Sequence, residues 1–158
     1  MEKIFIIILI MAFLVGTTGG EIDFRDFNPE DVEIEENKIT GNQNIEERKV
    51  GNNDLVKIYN EEISGNASID LSSDKGDIYL VFKEKITGNV KINAKSNRGN
   101  IYLKFEEAIR GNPAITLNAP NGLIFFYNNV ETVGNANISI NAENVEYRTG
   151  EPEALKDY

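Results

Sequence analysis

Ile86-Thr87-Gly88-Asn89-Val90-Lys91-Ile92-Asn93-Ala94, followed by Arg98-Gly99-Asn100-Ile101-Tyr102-Leu103-Lys104-Phe105, is the stretch on which the fold turns, because the same text recurs on both sides of it. The glycine of the Gly-Asn pair falls at Gly41, Gly65, Gly88, Gly111 and Gly134, in steps of 24, 23, 23 and 23. A second glycine follows eleven residues later at Gly76, Gly99 and Gly122. A fixed period of this length is the mark of a repeat architecture.

Each repeat carries two strand patterns. Two, four and six residues after the first glycine stand Ala67, Ile69, Leu71; Val90, Ile92, Ala94; Pro113, Ile115, Leu117; and Ala136, Ile138, Ile140, with mostly polar residues between them. This alternation is that of a strand with one dry and one wet face. After the second glycine come Ile78–Phe82, Ile101–Phe105 and Ile124–Asn128, whose Ile, Leu and Phe positions form a second inward column. A 23-residue unit is shorter than the helical repeats and lacks the leucine-rich-repeat pattern. The expected fold is all-β: a short parallel β-solenoid of about five coils, roughly 20–25 Å long at ~4.8 Å per coil. Antiparallel hairpins stacked as a meander are the rival arrangement. Like residues such as Ile69, Ile92, Ile115 and Ile138 can stack directly only in the solenoid.

The glycines suit sharp turns between sheets, and Asn42, Asn66, Asn89, Asn112 and Asn135 are expected to form a hydrogen-bonded column along the stack. The terminal copies decay. Alternation is poor from Gly41 to Val50, and no second-strand glycine follows Gly134, as expected of capping repeats.

Outward from the repeats, residues 1–20 read as a secretory signal peptide. Lys3 precedes twelve apolar residues, Ile4 to Val15, and the small residues Gly16-Thr17-Thr18-Gly19-Gly20 follow. That run is short for a spanning helix, although an uncleaved anchor is the other reading. Once the signal is cleaved, no stable membrane insertion is expected. Residues 21–38 are acidic and contain Pro29, which makes them an N-terminal cap or a spacer. The repeats run over 39–147, and 148–158 form a charged C-terminal tail.

Composition narrows the function. At 158 residues the chain suits one domain. With no Cys and no His it lacks thiolate chemistry, disulfides and the commonest general base and metal ligand. A net charge of −10 opposes nucleic-acid binding. The acids of the repeats do not align: Asp70 is matched by Asn93, Thr116 and Ser139, so paired-carboxylate glycosidase chemistry is not indicated. Asp74-Lys75-Gly76-Asp77 has too few oxygen ligands for a calcium loop, and neither metal nor cofactor is expected. Asn66-Ala67-Ser68 and Asn137-Ile138-Ser139 match the N-glycosylation acceptor pattern.

One feature suggests a contact surface. The outward positions of the second strand include Tyr79, Tyr102 and Phe125 in one column and Val81, Lys104 and Tyr127 in the next. Such rings, if exposed in register, would stack on sugars or a protein partner; if covered by a terminal segment, they would stabilise the sheet. Tyr79 and Tyr102 suit contact better than Phe125, whose neighbours Ile124 and Phe126 make its strand apolar on both faces.

The repeated Gly-Asn-x-x-Ile and Gly-x-Ile-Tyr-Leu phrases resemble the glycine-punctuated repeats of adhesin-type β-solenoid domains of prokaryotic cell surfaces, over roughly residues 39–147. The resemblance implies a right-handed or flattened solenoid used for surface attachment or as an envelope structural element, and it brings no catalytic residues. The expectation is a non-enzymatic secreted or cell-surface interaction protein, its partner a cell-envelope component, a polysaccharide or another protein. A small carbohydrate-binding module related to polysaccharide-acting β-helix proteins is the alternative.

Overall fold

A computed structural model describes residues 32–128 and 130–148, and every regular element among them is a strand. The signal-peptide reading of 1–20, the first part of the 21–38 segment and nearly all of the 148–158 tail lie outside the described residues.

The coils stack in parallel, as the period predicts. The strands after the first glycine are β2 (Asn44–Lys49), β5 (Ser68–Ser73), β8 (Lys91–Ser96) and the first part of β11 (Ala114–Asn128), closed by the first part of β13 (Asn137–Arg148). The register sets Ile69 beside Ile92, Ile92 beside Ile115 and Ile115 beside Ile138. Those after the second glycine, β6 (Ile78–Phe82) and β9 (Ile101–Phe105), join β1 (Val32–Glu35), β3 (Leu55–Tyr59) and the later parts of β11 and β13 in a second face. All these pairings are parallel, so the solenoid forms and the hairpin meander does not.

β1, from the acidic 21–38 segment, pairs with β3 in register Val32 to Val56 and thus lengthens the second face by a strand. The first repeat, whose alternation looked poor, pairs regularly as well, with Ile45 beside Ile69 and Glu47 beside Leu71.

Each coil also has a third, short strand that two-residue alternation is too brief to announce. These are β4 (Ile63–Gly65), β7 (Ile86–Gly88), β10 (Ile109–Gly111) and β12 (Thr132–Gly134), paired in parallel as a separate four-stranded sheet. Ile63, Ile86 and Ile109 are buried in one column, and the Gly that ends each strand takes a positive φ, which lets the chain turn out of the sheet.

Ile, Leu and Phe columns from all three faces meet in one continuous core. Ile69, Ile92, Ile78, Ile101 and Leu103 are fully enclosed. At one corner Tyr59, Phe82 and Phe105 stack along the axis, with centroids 5.0 and 5.2 Å apart and planes within 13°. Stacked rings in register extract packing energy beyond area burial, about 0.5–1.5 kcal/mol a pair.

Two side-chain ladders tie coil to coil. Asn66 donates to Asn42, Asn89 to Asn66 and Asn112 to Asn89 at 3.1–3.2 Å. Beside the second glycines, carboxylate or amide oxygens accept the backbone N–H one coil on: Asp54 from Asp77 at 2.7 Å, Asp77 from Asn100 at 2.8 Å and Asn100 from Leu123 at 2.9 Å. The first ladder was legible in the repeated Gly-Asn. The second was not, because its members are Asp in two coils and Asn in the third.

Candidate interaction surfaces

Four regions of the solenoid bear on function: the aromatic columns, the polar sheet face, and the two ends of the stack.

The aromatic columns do form, and they are inside. Tyr79, Tyr102 and Phe125 project from the second face away from the main core and stack in register, with centroids 4.2 and 4.6 Å apart and planes within 8°. They retain only 2%, 3% and 1% of their surface, and Tyr127 retains 6%. With Val56, Ile58 and Val81 they make a second apolar cluster, and Val32 of β1 and Leu123 pack at its margins. The outward direction of these side chains is therefore as the alternation implies, whereas an exposed ring surface is not what the fold presents. Period-two patterning reports which side of a sheet a residue occupies; it does not report whether that side is covered.

The phenols carry the electrostatic signature of this enclosure. Burial, the neighbouring Tyr102 ring and Asp77 push the Tyr79 hydroxyl far above its ordinary value, while burial and Asp77 push Tyr102 up to about 12. Tyr79 Oη lies 3.5 Å from Asp77 Oδ2, at the outer limit of a hydrogen bond.

The first face, in contrast, is open on its outer side. The outer side of β2, β5 and β8 carries a shallow depression of about 240 Å³ lined by Glu46, Asp70, Leu71, Ser72, Asn93 and Lys95, of which Leu71 turns its side chain inward. The pairing register puts Glu46 beside Asp70 and Asp70 beside Asn93. Asp70 is held in place by Ser68 Oγ at 2.8 Å and by Asn93 Nδ2 at 2.5 Å. The 23-residue spacing places Asp70 and Asn93 in one column but not Glu46, because the first repeat is one residue longer and alternates poorly. Chemically this strip offers carboxylate acceptors, amide donors and a Lys ammonium at about one-coil spacing, a set that can hydrogen-bond hydroxyls or polar main chain.

The N-terminal end of the core is plugged by charge. Glu33, Glu47, Lys49 and Lys57 occupy positions whose equivalents in later coils face the core, and they pair with one another. Lys57 contacts Glu33 and sits 2.8 Å from Glu47; Lys49 sits 3.2 Å from Glu33 and 3.4 Å from Glu47. The hydrogen bond from Lys57 is the main cause that holds the Glu33 carboxyl below its usual range. Burial pulls the Lys57 ammonium down, but its bonds to Glu33 and Glu47 outweigh this and keep it above the ordinary value.

Among the described residues, the C-terminal end carries an apolar row at the inward positions where the N-terminal end carries paired charges. Along β13 the inward positions are Ile138, Ile140, Ala142, Val145 and Tyr147, matched in register to Ile115, Leu117, Ala119, Ile124 and Phe126. Ile138 is 36% exposed, Val145 38% and Tyr147 63%.

Among the described residues no group of three or more Asp or Glu is placed to hold a metal ion. Comparison of the chain with protein-family models, with curated proteins and with solved structures finds no match.

Proposed function

We propose that this chain is a non-enzymatic interaction protein of the cell exterior, structural or adhesive in role, that meets its partner through the polar outer face of β2, β5 and β8. One observation carries the reading: on a rigid stack of like coils, this face is open and repeats acceptor and donor groups in register, from Glu46 through Asp70 to Asn93. A regular lattice of this kind suits an extended, repetitive partner better than a small reacting substrate, which needs an enclosed pocket and convergent groups. The placement outside the cell rests on the apolar run Ile4 to Val15 and the small residues after it. The resemblance to adhesin-type solenoids points the same way.

Carbohydrate binding is the second reading. With the Tyr79, Tyr102, Phe125 and Tyr127 rings buried, it draws on the hydroxyl-binding capacity of Asp70, Asn93 and Lys95 rather than on ring stacking.

Cell fractionation followed by binding tests the proposal. Mature protein should begin between Thr17 and Glu21 and should be retained by isolated cell envelopes. An Asn93→Ala, Lys95→Ala double variant should bind at least roughly tenfold more weakly, with its fold intact. Protein that keeps Met1 in the cytoplasm, or envelope binding that ignores both substitutions, would overturn it. Retention by soluble polysaccharides alone would favour the second reading.

A further inference from the structure

The second face is buried on both of its sides, and among the described residues only the inner side shows its cover, the main core. On the outer side Val56, Ile58, Tyr79, Tyr102, Phe125 and Tyr127 retain between 1% and 6% of their surface. The described apolar residues that pack against them, Val32 and Leu123, stand on the same side of the same sheet, and every described strand belongs to the coils. Phe125 and Tyr127 also each hold an interaction besides the ring stack of this column. A sheet face that is apolar and dry needs a further layer over it.

We propose that residues 21–31, the acidic segment that precedes β1, are this layer, with Phe24 and Phe27 packed on the column of Tyr79, Tyr102 and Phe125. Place, reach and composition select the segment. Val32, the next residue in the chain, already packs at the margin of the cluster, so the chain enters the coils beside this face. On β1 Val32 is half-buried and Ile34 is 45% exposed, whereas on β3 Val56 and Ile58 are each 1% exposed, which sets the cover over the strands beyond β1. From Val32 the column runs through Val56, Tyr79 and Tyr102 to Phe125 in four strand spacings, about 19 Å. Eleven residues span up to about 36 Å when extended, enough to cross it. Ile22, Phe24 and Phe27 supply large apolar side chains for the face, and Glu21, Asp23 and Asp26 between and beside them suit the water side.

Residues 149–158 are the competing cover. They follow Arg148, which stands beside Tyr127, the least buried of the six residues, and they bring only Leu155 and Tyr158 as large apolar side chains. With 21–31 as the cover, that segment is part of the folded domain and not a spacer, and cleavage between Thr17 and Glu21 leaves it whole.

Proton NMR of the full-length chain gives the direct test. Nuclear Overhauser contacts are expected between the ring of Phe24 or Phe27 and the ring of Tyr102 or Phe125. Tyrosine nitration mapped by mass spectrometry gives a second readout. In a Phe24→Ser, Phe27→Ser variant Tyr79 and Tyr102 should react at least roughly tenfold faster, while Tyr59, in the main core, stays protected and reports that the coils remain folded. A Leu155→Ser, Tyr158→Ser variant should keep the parental rates. Ring contacts with Leu155, Tyr158 or the Ile4 to Val15 run in place of Phe24 and Phe27 would overturn the proposal, as would parental nitration rates in the first variant. Loss of protection at Tyr59 as well would mean that this variant has unfolded, and the ring contacts of the unaltered chain then decide.

Discussion

A Cβ added at Gly99 would lie 2.3 Å from the carbonyl oxygen of Gly76 in the coil below, and one added at Gly76 would lie 2.0 Å from that of Asn53. These second glycines do not have positive φ; they are glycine because successive coils approach too closely there for a side chain. Gly41 is the opposite case, with φ of +73° and nothing within 4 Å of its added Cβ. Gly99→Ala must therefore push backbone apart and should cost about 1–3 kcal/mol or more. Gly41→Ala carries only the left-handed conformational penalty, about 1–2 kcal/mol. Urea unfolding midpoints compare the two. A Gly99→Ala variant as stable as the parent would show that the coils have room to spread.

At the scale of the element, β8 shows how far alternation can be trusted. Ile92 is wholly buried between Ile69 and Ile115, whereas Asn93 points outward. Ile92→Asp would bury a carboxylate with no partner, a change in the class that exceeds about 4 kcal/mol. Asn93→Asp is milder but not silent, because the Asn93 amide donates to Asp70 and the variant would set two carboxylates side by side. About 1 kcal/mol is expected for the lost bond and the like-charge pair. Equal effects of the two substitutions on the unfolding midpoint would contradict the inward and outward assignment. The same strand-level logic explains the charged plug: Glu47 stands where Leu71 stands one coil later, so an inward position of the first coil can be polar only because Lys49 and Lys57 meet it there.

Across the whole molecule, the buried phenols link stability to alkaline pH. The folded chain holds Tyr59, Tyr79 and Tyr102 neutral above the ordinary tyrosine range, chiefly through burial. In the unfolded chain they lose protons near pH 10. Below that value their contribution to stability is fully present. As pH rises above about 10 the unfolded state binds fewer protons than the folded one, so stability falls progressively towards the folded values, about 12 for Tyr102. Tyrosinate absorbance and β-sheet circular dichroism followed together should show part of the tyrosine signal withheld until the sheet collapses. A complete tyrosinate signal with the sheet intact would mean that these rings are accessible.

What the sequence determined by itself was everything that repeats with a fixed spacing. A 23-residue period with two-residue alternation leaves little choice but parallel coils, and it assigns Ile69, Ile92 and Ile115 to the core and Asn66, Asn89 and Asn112 to a ladder, because covalent spacing alone puts like residues in register. Only the tertiary structure decided what depends on neighbours distant in the chain. It showed that Tyr79, Tyr102 and Phe125, on the outer side of the second face, are buried, since alternation gives the side of a sheet and not its exposure. It brought Glu33 to Lys57 and Glu46 to Asp70 through strands whose own patterns are too charged to align by eye. It also gave the Gly76 and Gly99 positions their reason, which lies in the backbone of the adjacent coil and not in their own φ.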